Sequence, residues 1–295
     1  MTAGGRSGNE APMRRVLIAG CGFVGTRLGL ELAAAADEVW GLSPSPADLP
    51  APIQPFAADV TKPDTLQNLP ASLDLVFFTA APERHDDEGY VSVYVNGLRN
   101  LIDALDAQRQ RPRRVLFTSS TAVYEQNDGG WVDETSPTEP RGFSGRRLLE
   151  AESLLHASPF ASVVVRLAGI YGPGRGRMVS SVRDGTATCH DGPVAFTNRI
   201  HRDDCAGVLR HLASIPDPLP LYLAADNEPA DNATVLRWLA EQLHKPVPPT
   251  RPAAGLSSWE RGSSKRCRND RLIASGYRLR FPTFREGYGA ILRDQ

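Results

Sequence analysis

In the stretch RVLIAGCGFVG, Arg15 to Gly25, three glycines fall in the spacing G-x-G-x-x-G. Gly20 suits a tight turn, Gly22 leaves the backbone open to a phosphate group, and Gly25 lets a helix pack closely on a strand. Phe23 and Val24 would complete such a cradle, because the free N–H groups and positive dipole end of a helix start attract phosphates. The chemistry this spacing offers is the holding of a dinucleotide's pyrophosphate. A glycine-rich turn without a ligand has the same composition, so the elements on either side decide between the two readings.

Those elements fit a cradle. Val16 to Ala19 is a continuous apolar run, the pattern of a strand buried on both faces. Phe23 to Ala36 carries Val24, Leu28 and Leu32 at helical spacing with no proline to stop it. Further runs, Glu38–Leu42, Ile53–Ala57, Leu73–Thr79, Arg114–Thr118 and Ser162–Leu167, read as strands. Amphipathic stretches at Tyr90–Asp106 and Arg146–His156 read as helices between them. Six strands alternating with helices predict an α/β fold, a doubly wound parallel sheet, over residues 14–168, with residues 194–213 returning to it. Residues 169–193 and 214–295 are glycine- and proline-rich, with helices expected at Asn232–His244 and Asp270–Tyr277. They predict a smaller C-terminal substrate lobe whose cleft with the sheet would hold a small-molecule substrate.

In an open parallel sheet, ligands bind at the strands' carboxyl ends. The second strand ends in Ser43 and Ser45 with no acid before Asp48, which favours NADP over strict NAD, since an acid there would hold the ribose 2′-OH. Asp59 and Val60 follow the third strand, Ala80 and Ala81 the fourth, and Ser119, Ser120 and Thr121 the fifth. Arg175, Arg177 and Arg199 border the expected cleft, and guanidinium forks suit a diphosphate. Neither Cys189-His190-Asp191 nor His201 with Asp203, Asp204 and Cys205 has the spacing of a zinc site, so no metal is expected. Asp204 is expected to cap or anchor the helix starting near Cys205.

Bulk composition narrows the partners. Thirty-three basic side chains balance 34 acidic ones, which gives no electrostatic signature of a nucleic-acid partner. No run approaches the roughly 18 apolar residues of a membrane helix. Residues 1–13 read as a mobile tail without a signal peptide's apolar core, and Met13 is an alternative initiator. The four cysteines form no C-x-x-C pair, consistent with reduced thiols in the cytoplasm.

Taken together, GCGFVG, Asp59-Val60, Asn96 to Leu101, SSTAVY at Ser119–Tyr124, VVRLAGIYGPGR at Val164–Arg175 and RIHRDDCA at Arg199–Ala206 resemble extended short-chain dehydrogenase/reductases of the NAD-dependent epimerase/dehydratase branch. That resemblance implies an NAD(P)-binding Rossmann fold, a lobe that in many relatives holds a nucleotide sugar, and dimers through a helix pair. By position Asp59 would contact the adenine, Ala80 and Ala81 would line the nicotinamide, and Ser120 would match the catalytic Ser/Thr. The family's Tyr-x-x-x-Lys pair is missing. One alignment puts Phe143 and Arg147 in the two positions, and the register set by Glu152 puts Ser144 and Leu148 there. Tyr124 and Tyr171 are the nearest phenols in sequence, and Arg146 or Arg147 offers a cation in place of the lysine. The sequence therefore supports an oxidoreductase or epimerase-like enzyme with atypical machinery, with a cofactor-binding sensor or interaction protein without turnover as the rival.

Overall fold

The computed structural model describes residues 13–252 and 264–293; most of the expected tail, residues 1–12, lies outside the described residues. Seven strands form one sheet: β1 (Arg15–Ala19), β2 (Glu38–Ser43), β3 (Gln54–Ala57), β4 (Leu75–Phe78), β5 (Arg114–Ser120), β6 (Ser162–Leu167) and β7 (Leu221–Ala224). Their order is β7-β6-β5-β4-β1-β2-β3, and every pairing is parallel. The order reverses between β1 and β4, and such a switch point opens a crevice at the strands' carboxyl ends. Val16 to Ala19 and Leu75 to Phe78 are buried throughout, as strands covered on both faces must be.

The seventh strand corrects the expected count. Leu221–Ala224 falls in a stretch assigned above to the small lobe, yet it pairs with β6 from Leu221↔Val164 to Ala224↔Leu167. Parallel addition at this edge gives the apolar run LYLA a ladder along its inner side, and the Leu223 N–H on the outer side donates to Glu134 at 2.7 Å.

Helices cover both faces: α1 (Phe23–Ala34), α2 (Asp87–Tyr90), α3 (Leu98–Ala107), α4 (Phe143–His156) and α6 (Arg202–Ser214). Between α2 and α3, Val91–Gly97 winds as a wide π turn where one continuous helix was expected. A smaller body contains α5 (Arg177–Arg183), α7 (Asn232–Gln242) and α9 (Phe284–Arg293), while α8 (Asp270–Ala274) lies against β7. This body has its own apolar core, which includes Val179, Val182, Val235, Leu239, Phe284 and Ile291. The core around the sheet extends beyond the first half of the chain to Cys205–Ala213, Tyr222–Ala225, Cys267, Leu272 and Tyr277. Among the described residues no helix is long and apolar enough to cross a membrane.

Candidate cofactor and substrate site

The three glycines do different work. Gly20 has φ +103°, donates its N–H to the Leu42 carbonyl at 3.0 Å, and would place a Cβ 2.2 Å from the Ala80 nitrogen. It is the point where the ends of β1, β2 and β4 converge, and the Thr79 hydroxyl locks it by donating to its carbonyl at 2.7 Å. A Cβ on Gly25 would lie 2.3 Å from the Gly20 carbonyl oxygen, so this glycine seats α1 against the turn. Gly22 is the opposite case: a Cβ there would meet nothing within 4 Å. No side chain caps α1 and none of its first-turn residues is acidic, so its first N–H groups have no side-chain acceptor, next to the open space at Gly22. Cys21 is no nucleophile here, because burial pushes its thiol up to about 12.

Around this turn stand the other residues expected to hold a cofactor. The Ser43 hydroxyl, at the tip of β2, accepts from the Ser45 N–H at 3.3 Å. Asp59 is gathered into its own loop: Thr61 donates to Oδ1 from both backbone and side chain, Lys62 sits 3.3 Å from Oδ2, and together these hold the carboxyl below its ordinary range against desolvation. Val60 is buried under Gly97, and its carbonyl accepts from the Asn100 amide at 2.9 Å. Ala80, partly exposed against Gly20, and Ala81, exposed, follow β4.

At the end of β5 two adjacent serines diverge, because successive strand residues face opposite ways. Ser119 is buried and donates to Glu152 Oε1. Ser120 is partly exposed, and its hydroxyl oxygen accepts from the Ala122 N–H at 3.2 Å, which leaves its proton free to be donated. Tyr124 belongs to the core instead of the cleft. It is 2% exposed, its hydroxyl accepts from Arg166 Nη1 at 2.9 Å, and burial pushes its phenol up to about 12. Arg166 also forms a two-pronged pair with Glu152 at 3.0 and 2.7 Å, so Tyr124, Ser119, Glu152 and Arg166 are one buried polar network. That network accounts for Tyr124 structurally and removes it from the candidate proton donors.

Phe143 is the first residue of α4, and Arg147 stands one turn later. Arg147 is engaged by two carboxylates, Asp87 at 2.7 and 3.0 Å and Glu150 at 3.0 Å, and the Asp87 bonds raise its pKa above the usual arginine range. Its charge therefore fastens α4 to α2. The Phe143 ring stands edge-on to Tyr90, with centroids 5.3 Å apart, and Tyr90 stands edge-on to Tyr94 at 5.2 Å. Neither phenol was singled out from sequence, although their i,i+4 spacing was there to read. Burial raises both pKa values, so they are protonated hydrogen-bond donors at neutral pH.

On the small-lobe side, the strand Gly169–Tyr171 pairs with Arg199–His201. Arg199 is 4% exposed and donates Nη2 to the Thr197 carbonyl at 3.2 Å; it is enclosed, where a residue bordering an open cleft was expected. His201 caps α6 by accepting the Asp203 N–H at its Nδ1, and burial holds it neutral with its pKa lowered to about 4. Asp204 does anchor, but its bonds run to the chain's end: it accepts from the Tyr277 hydroxyl and from the N–H groups of Arg280 and Phe281. Arg175 and Arg202 stack on Phe23, with Cζ 5.6 and 5.0 Å from its ring centroid. Among the described residues no group of three His, Cys, Asp or Glu side chains is placed to hold a metal.

This arrangement has known counterparts. The chain is 32% identical over 232 residues to Protein YeeZ of Escherichia coli, covering 75% of this chain and 81% of that one. It superposes with a TM-score of 0.80 and 38% identity on a Methylobacillus flagellatus structure named for the NAD-dependent epimerases/dehydratases, over 96% of this chain and 99% of that one. The Bordetella bronchiseptica enzyme WbmG in complex with NAD and UDP shares the fold, with a TM-score of 0.80 at 18% identity over 97% of this chain and 94% of that one. The profile of the NAD dependent epimerase/dehydratase family matches residues 16–194. The glycine cradle at the switch point of a parallel sheet, and the motifs that follow it in order, are those of this group: the chain belongs to the NAD-dependent epimerase/dehydratase family.

Proposed function

We propose that the chain binds NAD(P) in the Gly20–Gly25 cradle and exchanges hydride with a small polar or nucleotide-sugar substrate in the cleft, as a cytoplasmic oxidoreductase or epimerase-like enzyme. The observation that carries this reading is the contrast among the glycines. Two are demanded by packing, while Gly22 keeps its space open in front of a helix start with no cap. Gly22, Phe23, Val24 and Gly25 would present N–H groups to the pyrophosphate. Asp59 and Val60 would border the adenine, and Ala80 and Ala81 the nicotinamide. The 2′-phosphate of NADP would sit by Ser43 and Ser45, where no carboxylate repels it.

The bound nicotinamide would accept or return the hydride according to its oxidation state. Ser120, with its proton free, would donate a hydrogen bond to the substrate oxygen. In the absence of the usual tyrosine, water held at Ser120 would carry the proton. A panel of UDP-sugars followed at 340 nm, with each of NAD, NADP, NADH and NADPH, tests the reading. Ser120→Ala should lower the rate about 100-fold, the scale for removing one positioned donor.

A second reading, a cofactor-binding sensor without turnover, is favoured by the Phe143 corner. Phe143 has no proton to give, Arg147 is spent on Asp87 and Glu150, and both nearby phenols have raised pKa values. Cofactor binding with neither an absorbance change nor a new sugar product by chromatography across the panel would select it.

A further inference from the structure

The two arginines on Phe23 have an arrangement that the fold alone does not require. Phe23 directly follows Gly22 and opens α1. The loop after the strand Gly169–Tyr171 is packed onto it: a Cβ at Gly172, where φ is +159°, would lie 3.3 Å from the Phe23 ring and 3.0 Å from the Arg202 Cβ. A tight turn, with Gly172 and Arg175 exchanging backbone hydrogen bonds at 3.4 and 2.9 Å, then delivers Arg175 over the same ring. Arg202, the first residue of α6, arrives from the other segment that links the two bodies.

The charges around this ring do not cancel. Arg202 Nε lies 3.3 Å from Asp203, but Arg27 claims the same carboxylate at 3.1 Å. Arg175 is exposed, and its guanidinium makes no hydrogen bond or ion pair among the described residues. Arg175 therefore brings an unpaired guanidinium, and Arg202 one whose single carboxylate is shared with Arg27, beside an uncapped helix start and the open space at Gly22. A side chain stacked on an aromatic face also keeps its N–H edge free to bind in the ring plane.

We propose that Arg175 and Arg202, held on Phe23, clamp a diphosphate ester from the small-lobe side while the glycine turn binds it from the sheet side, and that this diphosphate is the cofactor's. The inference rests on the NAD(P) reading above and deepens it. Arg175 moves from the substrate, where the sequence put it, to the cofactor, and Arg202 joins the site.

The test is titration of the full chain with ADP-ribose, NADH and UDP, for wild type, Arg175→Gln, and Arg175→Gln with Arg202→Gln. Thermal unfolding of each protein without ligand serves as the folding control. Wild type should bind ADP-ribose and NADH. The double variant should bind both about 10-fold or more weakly, the scale of one lost charge-assisted contact, and with a shallower salt dependence. Arg175→Gln, which removes an exposed side chain with no hydrogen bond or ion pair among the described residues, should show part of the loss with nearly unchanged unfolding, so a folding defect in the double variant cannot hide the answer. ADP-ribose affinity within twofold of wild type in both variants overturns the clamp and leaves the NAD(P) reading standing. A loss confined to UDP overturns the cofactor assignment in favour of the substrate's diphosphate. Wild type that binds neither ADP-ribose nor NADH overturns both readings together.

Discussion

Alanine at Gly22 and alanine at Gly20 should fail in opposite ways. A methyl at Gly20 would sit 2.2 Å from the Ala80 nitrogen on a backbone of φ +103°. The conformation alone costs about 1–2 kcal/mol for an L side chain, and overpacking adds about 1–3 kcal/mol. Gly20→Ala should therefore lose roughly 2–5 kcal/mol of stability. A methyl at Gly22 meets nothing within 4 Å and starts from a negative φ of −89°, so the ligand-free Gly22→Ala protein should unfold within about 1 kcal/mol of wild type. Its cost appears only when a phosphate must reach the helix N–H groups. Losing one charge-assisted bond of about 1.5–3 kcal/mol weakens NADH or NADPH binding roughly 10- to 100-fold. Urea unfolding and fluorescence titration on the same preparations measure the two effects. Gly22→Ala binding both reduced cofactors as tightly as wild type would refute the argument that the backbone at Gly22 is approached by the ligand.

Two further outcomes concern the framework. Glu152→Ala strands Arg166, whose side chain is 6% exposed, without its carboxylate; the expected loss is about 3–5 kcal/mol, read by urea unfolding, and a loss under 1 kcal/mol would show that water replaces the pair. Burial raises Asp226 from an ordinary 3.8 to about 7, so the folded state binds this proton more tightly than the unfolded chain. Its contribution is complete below about pH 4 and is lost as pH rises through about 7, on the order of 4 kcal/mol. Unfolding midpoints at pH 5 and pH 8 should thus show Asp226→Asn gaining on wild type as pH rises, and a constant difference would refute the assignment.

Much of the cofactor side was legible because its signals are local. An apolar run, three glycines and a helix pattern occupy one short stretch, and the structure has Gly20 in a tight turn, Gly25 packed against it and open space at Gly22. The remainder depends on partners distant in the chain. Nothing near Arg147 indicates that Asp87 will claim it, and nothing near Tyr124 indicates that Arg166, a charge inside an otherwise apolar strand, will bind its hydroxyl. The strand Leu221–Ala224 was hidden because it is short and Pro216, Pro218 and Pro220 precede it, so its strand character comes from pairing with β6 more than from its own residues. The π turn at Val91–Gly97 kept enough helical periodicity to read as a single helix.

The two apolar cores have a consequence for how the protein moves. The chain leaves the sheet's core after Ala168 and enters the smaller one at Tyr171, returns between Cys189 and Ile200, leaves again between Ala225 and Ala230, and changes sides once more on either side of Cys267 and Tyr277. With the backbone passing between them several times, any swing of one body on the other must bend every crossing together. That stitching favours small sliding of packed surfaces, as in shear motions, over a wide opening. The same stitching means that no single cut releases the smaller body as a foldable fragment, so partial unfolding of one body drags on the other and cofactor binding in the cradle should protect amides as far away as α9.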